Sequence, residues 1–378
     1  MTVITKKRII NFLCDVFAIV SFFIAISCLI LKFQTFRYIP IDNLNIIAAK
    51  SILFRSNFNY SQLINLKNKS NLENNIKIST ENNISDSTDY NETIIEKNIE
   101  FSIAPETDEE YHSPDEKKYD VIEKHIGTGG EKCENFYVKN TTGQQINFNE
   151  FLKKNPDIYI KNTDAPQVLI LHTHTSESYL NKDQNFFYEN FYPRSLDNNK
   201  NVTQVGKVIA ETLTKNGIST IHSTVFHDSP SYNGSYSRAA QTIKKNLEEF
   251  PSIQVVIDIH RDSMGSKESG KIKPIFTYKD KKASQLMIIS GCDPNNSMGF
   301  PNWEKNLVFA LKLQKYCETM FPGITRPLNF SKVKYNENLT PGSLLIEIGS
   351  DVNTLQESMY TGTMLGEALS KLLNDIKK

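Results

Sequence analysis

Three runs constrain this chain more than anything else in it: "QVLILH" (167–172), "QVVIDIH" (254–260) and "SLLIEIGS" (343–350). Each is a short stretch of β-branched and aliphatic side chains with little polar alternation, the pattern of a strand covered on both faces. Covering both faces takes helices, and the intervening sequence supplies them. "VTQVGKVIAETLTKNG" repeats Val202, Val205, Ile209 and Leu213 at helical spacing and stops at Gly217. "YSRAAQTIKKNLEEF" reads the same way, as do a segment from about Trp303 to Met320 and another from about Thr354 to the C-terminus. "ISTIHSTV", "KIKPIFTY" and "QLMIISG" read as further strands and "RDSMGSKESG" as a loop. Strands alternating with helices predict an α/β domain over residues 165–378, with a mostly parallel central sheet flanked by helices.

The chain ahead of this domain is organised differently. Lys6, Lys7 and Arg8 precede an apolar run from Ile9 to Leu31, and a helix needs about 20 apolar residues to cross a bilayer. The run exceeds a signal-peptide core, and "LILKF" follows the small residues of "AISC", so it reads as a retained anchor with Asp15 near the interface. The basic cluster places residues 1–8 in the cytoplasm and the rest outside, in a single-pass cell-membrane protein whose α/β domain is extracytoplasmic. Residues 32–119 read as a juxtamembrane segment and a flexible stalk, because the Asn/Ser/Glu/Lys-rich sequence from about Lys67 buries too little apolar surface to order itself. Residues 120–164 form a lead-in, with a short hairpin in "ENFYVKNTTGQQINF" and a small helix around "NEFLKKN". Basic and acidic residues balance at 43 each, which excludes the charge footprint of a nucleic-acid binder. The five cysteines are scattered without a C-x-x-C pair, so neither a disulfide framework nor a thiolate zinc site is indicated.

In open α/β sheets, sites form beyond the carboxyl ends of the strands. Those ends carry His172, His174 and Glu177 after the first run, His260 at the end of the second and Glu347 late in the third. A catalytic zinc takes three His or carboxylate ligands and leaves a position for water. His174 stands three residues before Glu177, so one turn brings imidazole and carboxylate to the same side, and His260 supplies a third group from another strand. Such a metal lowers the pKa of water to about 7 and polarises a carbonyl. Glu347 is then the carboxylate that moves the proton; the bland alternative makes it half of a buried ion pair. His172 stands beside the metal group, orienting or shielding it. His227 lines the cleft or serves the structure, Arg238 and Arg261 are candidate partners for substrate carboxylates, and Ser235 reads as a helix cap. His112 and His125 read as exposed.

"QVLILHTHTSESY", "HDSPSYNGSYSRA", "VVIDIHRDS" and "PGSLLIEIGSDVNTLQES", in this order, resemble the stage II sporulation protein P family, membrane-anchored peptidoglycan hydrolases related to the zinc-dependent N-acetylmuramoyl-L-alanine amidases. The resemblance runs from about Ala165 to the C-terminus. It implies an amidase fold, cleavage between muramic acid and the first stem-peptide alanine, and endopeptidase activity on cross-links at the same site. It implies Zn2+ on His174, Glu177 and His260, with Glu347 catalytic; in the wider amidase class the metal-binding glutamate lies further from the first histidine. Glu189 and Glu211 are weaker candidates, one in a variable-looking stretch and one on a helix. The implied setting is septal wall breakdown during engulfment, with stage II sporulation proteins D, a transglycosylase, and M, a membrane recruiter, as partners. Two other readings stay open on the residues alone: a zinc carboxypeptidase, and a wall-binding scaffold without turnover.

Overall fold

The computed structural model describes residues 115–377. The expected anchor, residues 9–31, and all but the end of the expected stalk lie outside them. Among the described residues no helix is long and apolar enough to cross a membrane.

The three apolar runs become β4 (Val168–Leu171), β7 (Val255–Asp262) and β13 (Gly342–Ser350), adjacent and parallel in an eight-stranded sheet. β6 (Thr220–His222) extends the sheet beyond β4. On the other side β13 pairs antiparallel with β11 (Leu286–Gly291), which is followed in space by β12 (Leu328–Ser331), β3 (Phe136–Asn140) and β2 (Glu131–Cys133). Five of the seven pairings are parallel; β11–β13 and β2–β3 are the antiparallel ones. The hairpin of the lead-in therefore completes an edge of the main sheet, a few residues earlier than its sequence suggests, and α1 (Phe148–Lys153) packs beside it.

Alternation along the strands divides the core and places the site. Val168 and Ile170 of β4, Ile257 and Ile259 of β7, and Leu344, Ile346 and Ile348 of β13 join the large core shared with α2 (Thr203–Lys215), α4 (Trp303–Met320) and α5 (Leu355–Asp375). Leu169, Leu171 and Val256 face the other way, onto Ala239 and Ile243 of α3 (Ser235–Glu249). Side chains alternate across a strand, so Asp258, His260 and Glu347 fall on this second face. Register then sets Glu347 directly opposite His260 and Leu345 opposite Asp258. Each wholly buried Leu or Ile contributes about 1.5–3 kcal/mol relative to exposure, which is what holds this register against slippage.

A second sheet was not expected. Its order is β10 (Lys281–Ser284), β9 (Gly270–Tyr278), β1 (Lys118–Lys124) and β5 (Phe186–Tyr188), with the short β8 (Gly265–Ser266) on β9. "KIKPIFTY" is thus a strand, but of this sheet rather than the main one. Lys273 of β9 is wholly buried and sits 2.9 Å from Glu357 at the start of α5. Glu357 also closes a capping box with Thr354, so one carboxylate serves both the cap and the lysine.

Candidate active site

The turn after β4 is built by hydrogen bonds that the apolar strands cannot make. Asp258, buried in β7, accepts from Thr173 N at 2.7 Å and Thr173 Oγ1 at 2.6 Å. Asp228 accepts from Ser176 Oγ at 2.6 Å and from Arg194 Nη1 at 2.9 Å. Between these anchors the backbone turns tightly, Glu177 N donating to His174 O at 3.0 Å. The H-x-x-E spacing is therefore one turn, and it brings His174 and Glu177 to the same crevice as His260.

Glu177 is fixed from several sides. Arg261 N donates to its Oε2 at 3.2 Å, His260 Nδ1 lies 3.5 Å from the same oxygen, and guanidinium groups of Arg194 and Arg261 stand 3.9 and 4.0 Å from Oε1. Burial alone would raise this carboxyl; His260 and Arg261 overcome it and hold the pKa near 2, so Glu177 is ionised at neutral pH. His260 is the converse case. Burial disfavours its charge, yet Asp258 and Glu177 push its pKa well above the ordinary value. A cation in the crevice would take the place of that proton, since a metal ligand must be a neutral imidazole. His174 is neutral already, burial lowering its pKa to about 4. Its ring stacks on Tyr232 (centroids 4.4 Å, 7°) and stands 5.3 Å from the His260 ring.

Glu347 completes the group. It is opposite His260 in register, and burial raises its carboxyl to about 8 despite the nearby His260. Three buried polar atoms here have no hydrogen-bond partner: His174 Nδ1, His260 Nε2 and Glu347 Oε2. The His260 nitrogen is nonetheless ion-paired with Asp258 Oδ1 at 2.9 Å, so His174 Nδ1 is the imidazole nitrogen left without a partner among the described residues. Leaving such an atom unpaired is costly, and an unpartnered imidazole nitrogen beside a second imidazole and a carboxylate is a donor set that suits zinc. Among the described residues, no three His, Cys, Asp or Glu side chains are yet gathered closely enough to hold an ion as they stand.

The other expected residues are distributed as follows. His172 is wholly buried and turned to the α2 side, where Nδ1 meets Ile259 O and Nε2 meets His222 Nε2, each at 2.9 Å. Burial and His222 lower its pKa to about 3. The approach depends on Gly206, because a Cβ there would lie 2.5 Å from His172 Nε2. His227 is also buried, bonded to His172 O at 2.7 Å and to Thr242 Oγ1 at 2.8 Å, and does not line the crevice. Arg238 directs Nε, Nη1 and Nη2 to the carbonyls of His227, Asn233 and Ser231, tying its own loop. Arg261 binds Ser178 O and Pro193 O besides Glu177, so it positions the turn. Ser235 is not the cap of α3: Gly234 holds that position at φ 84°, and the Ser235 hydroxyl donates back to Tyr232 O. Glu189 and Glu211 are exposed, contacting Tyr119 and Lys207 respectively. His125 is exposed and bonds Ile275 O; it lines a separate cavity of about 390 Å³ that contains none of the site residues. Sequence reasoning missed Asp258, Arg194 and Tyr335, while Tyr232 and Tyr236 of "SPSYNGSYSRA" read only as candidate hydrogen-bonding groups for a glycan or peptide and here form an aromatic wall beside His174. Asp258 had a signal, since a carboxylate inside "VVIDIH" is as conspicuous as the one inside "LLIEIG".

The model of the family described as stage II sporulation protein P (SpoIIP) matches residues 48–370. Stage II sporulation protein P of Bacillus subtilis is 29% identical over 227 residues, which are 57% of this chain and 53% of that protein, so the match spans about half of the relative's length. Among solved structures, the N-acetylmuramoyl-L-alanine amidase AmiC2 of Nostoc punctiforme shares 10% identity at a TM-score of 0.29, covering 55% of this chain and 96% of that one. The CwlD amidase from Clostridioides difficile, solved with the GerS lipoprotein, shares 10% at a TM-score of 0.34, covering 55% and 99%. A family model matching this much of the chain settles membership: the protein belongs to the stage II sporulation protein P family.

Proposed function

We propose that the protein is a zinc-dependent peptidoglycan hydrolase, an N-acetylmuramoyl-L-alanine amidase with cross-link endopeptidase activity, acting on septal wall during sporulation. The observation that carries this reading is the crevice itself. His174, Glu177 and His260 lie together at the carboxyl end of the sheet, His174 Nδ1 is buried without a partner among the described residues, and Glu347 stands in register with His260. His174, Glu177 and His260 would hold the metal. Bound there, zinc supplies Lewis acidity to the scissile carbonyl and acidifies water. Glu347 receives the proton of the attacking water and returns it to the leaving nitrogen. Arg261 keeps Glu177 ionised and aimed, Arg194 stands 3.9 Å from its carboxylate, and Asp258 holds the turn that carries His174. Anchoring through residues 9–31, with the site outside the cytoplasm, and partnership with stage II sporulation proteins D and M follow from the apolar run and the family, and belong to the same proposal.

The test is digestion of purified sacculi by the zinc-loaded protein, with products identified by mass spectrometry. Expected are free stem peptides beginning at L-alanine and cleaved cross-links, both abolished by chelators and by His174→Ala or Glu347→Ala. Release of single C-terminal residues instead would make it a carboxypeptidase. Intact sacculi, or full activity in either variant, would refute the reading.

A further inference from the structure

Hydrolysis of an amide builds negative charge on the carbonyl oxygen, and besides the Lewis acidity a bound metal would supply, the residues so far assigned include no hydrogen-bond donor for it. The donors around the crevice are largely spent. Thr173 and Ser176 serve Asp258 and Asp228, Arg194 Nη1 serves Ser176 and Asp228, and Arg261 serves two backbone carbonyls besides Glu177. Tyr236 differs. It lies in the first turn of α3, on the face of the sheet that carries Asp258, His260 and Glu347. Its ring is edge-on to His174 at 5.5 Å and nearly parallel to that of His260 at 6.4 Å and 13°. Tyr335 stacks on it at 5.1 Å, which fixes the plane of the ring. The hydroxyl makes no hydrogen bond among the described residues; Asn336 Nδ2 reaches only the backbone oxygen of Tyr236, at 2.9 Å. A phenol keeps its proton at neutral pH, so this one is a donor without an acceptor among the described residues, its ring beside both candidate metal-binding imidazoles.

We propose that Tyr236 is a catalytic residue whose phenolic O–H donates a hydrogen bond to the substrate oxygen that becomes negatively charged as water adds to the scissile amide. This rests on the hydrolase reading above. In the step, the water oxygen bonds to the carbonyl carbon while the C=O electron pair moves onto oxygen, and the water's proton passes to Glu347. Tyr236 keeps its own proton and shares it with the oxyanion. When the pair returns, the C–N bond breaks and the proton on Glu347 goes to the nitrogen, leaving a carboxylic acid and an amine. The interaction is stronger with the oxyanion than with the neutral carbonyl, so it acts on kcat rather than on binding.

The experiment compares full-length, zinc-loaded wild type with Tyr236→Phe, which retains the ring and its stacking. Loss of one oxyanion donor costs about 10²–10³ in kcat, so a fall of that size is expected with KM within about threefold. A phosphinate analogue of the muramoyl amide, a tetrahedral anion, should bind more weakly by a similar factor, while zinc content and Tm stay at wild-type values. An active wild type with an equally active Tyr236→Phe overturns this inference alone. A fall in activity accompanied by lost zinc or a lowered Tm assigns Tyr236 to packing, and overturns it too. A wild type that leaves sacculi intact refutes the hydrolase reading, and this inference with it.

Discussion

Glu337 gives a prediction that separates electrostatics from packing. It lies in a 3-10 turn (Glu337–Leu339) just before β13, 1% exposed. Its Oε2 accepts from Gly291 N at 2.9 Å, and its Oε1 has no partner among the described residues. Burial raises its pKa well above 4.5, helped by Asp258 and only partly offset by the Gly291 bond. The native carboxyl therefore stays protonated in a range where the unfolded chain has released its proton. For a raised carboxyl the contribution to stability is fully present below the unfolded pKa and is lost as pH rises towards the folded one. The slope is about 1.4 kcal/mol per pH unit, beginning near pH 4.5 and ending where the native group itself ionises. Glu337→Gln keeps an oxygen for Gly291 N and removes the titration. Urea denaturation of both proteins at half-unit steps from pH 4.5 to 7 cancels every other titrating group in the difference. The stability of the variant relative to wild type should climb with pH by about 1.4 kcal/mol per unit over the first units. A difference that is flat in pH would show that Glu337 is not held protonated and would refute the reasoning.

Two further substitutions test the supports of the crevice. Gly206→Ala gains about 1 kcal/mol of helix propensity, but its Cβ would lie 2.5 Å from His172 Nε2 and 2.6 Å from His222 Nε2; overpacking of about 1–3 kcal/mol should leave it less stable in thermal melts, and a raised Tm would refute the crowding. Asp258→Ala strips the buried Thr173 N and Oγ1 of their acceptor, so a loss of about 3 kcal/mol or more is expected in urea melts; a change below 1 kcal/mol would mean the turn does not depend on Asp258.

The central strands were legible because they are buried on both faces and say so in every residue. Their periodicity also carried information about the site: Glu347 interrupts the apolar run at a position out of step with Leu344, Ile346 and Ile348, which forces it onto the opposite face. Pairing was not legible. That β13 lies beside β7, and Glu347 opposite His260, depends on contacts between segments far apart in the chain that no local pattern encodes. The second sheet escaped for another reason. β1, "KYDVIEK", buries only Val121, so it has too little apolar pattern to announce a strand, and β5 sits in a stretch that reads as irregular. The positions of Arg238 and His227 were likewise open, since an arginine bonding its own loop and one awaiting a substrate look identical in sequence.

The two histidines of "LHTHTS" show where physical chemistry separates what sequence leaves equivalent. Both follow β4 and both are buried, but β4 ends at Leu171 and the turn beyond it sends the rings to different faces of the sheet. His172 enters a slot over Gly206, with both ring nitrogens engaged by Ile259 O and His222. A nitrogen already hydrogen-bonded in a closed core has nothing left to offer a ligand. His174 comes out between Tyr232 and Tyr236 with Nδ1 buried and unpartnered. Burying that atom unpaired costs about 1–3 kcal/mol, a cost the fold sustains at the crevice mouth, one turn from Glu177 and beside His260. The chemistry therefore belongs to the histidine that the fold leaves incomplete.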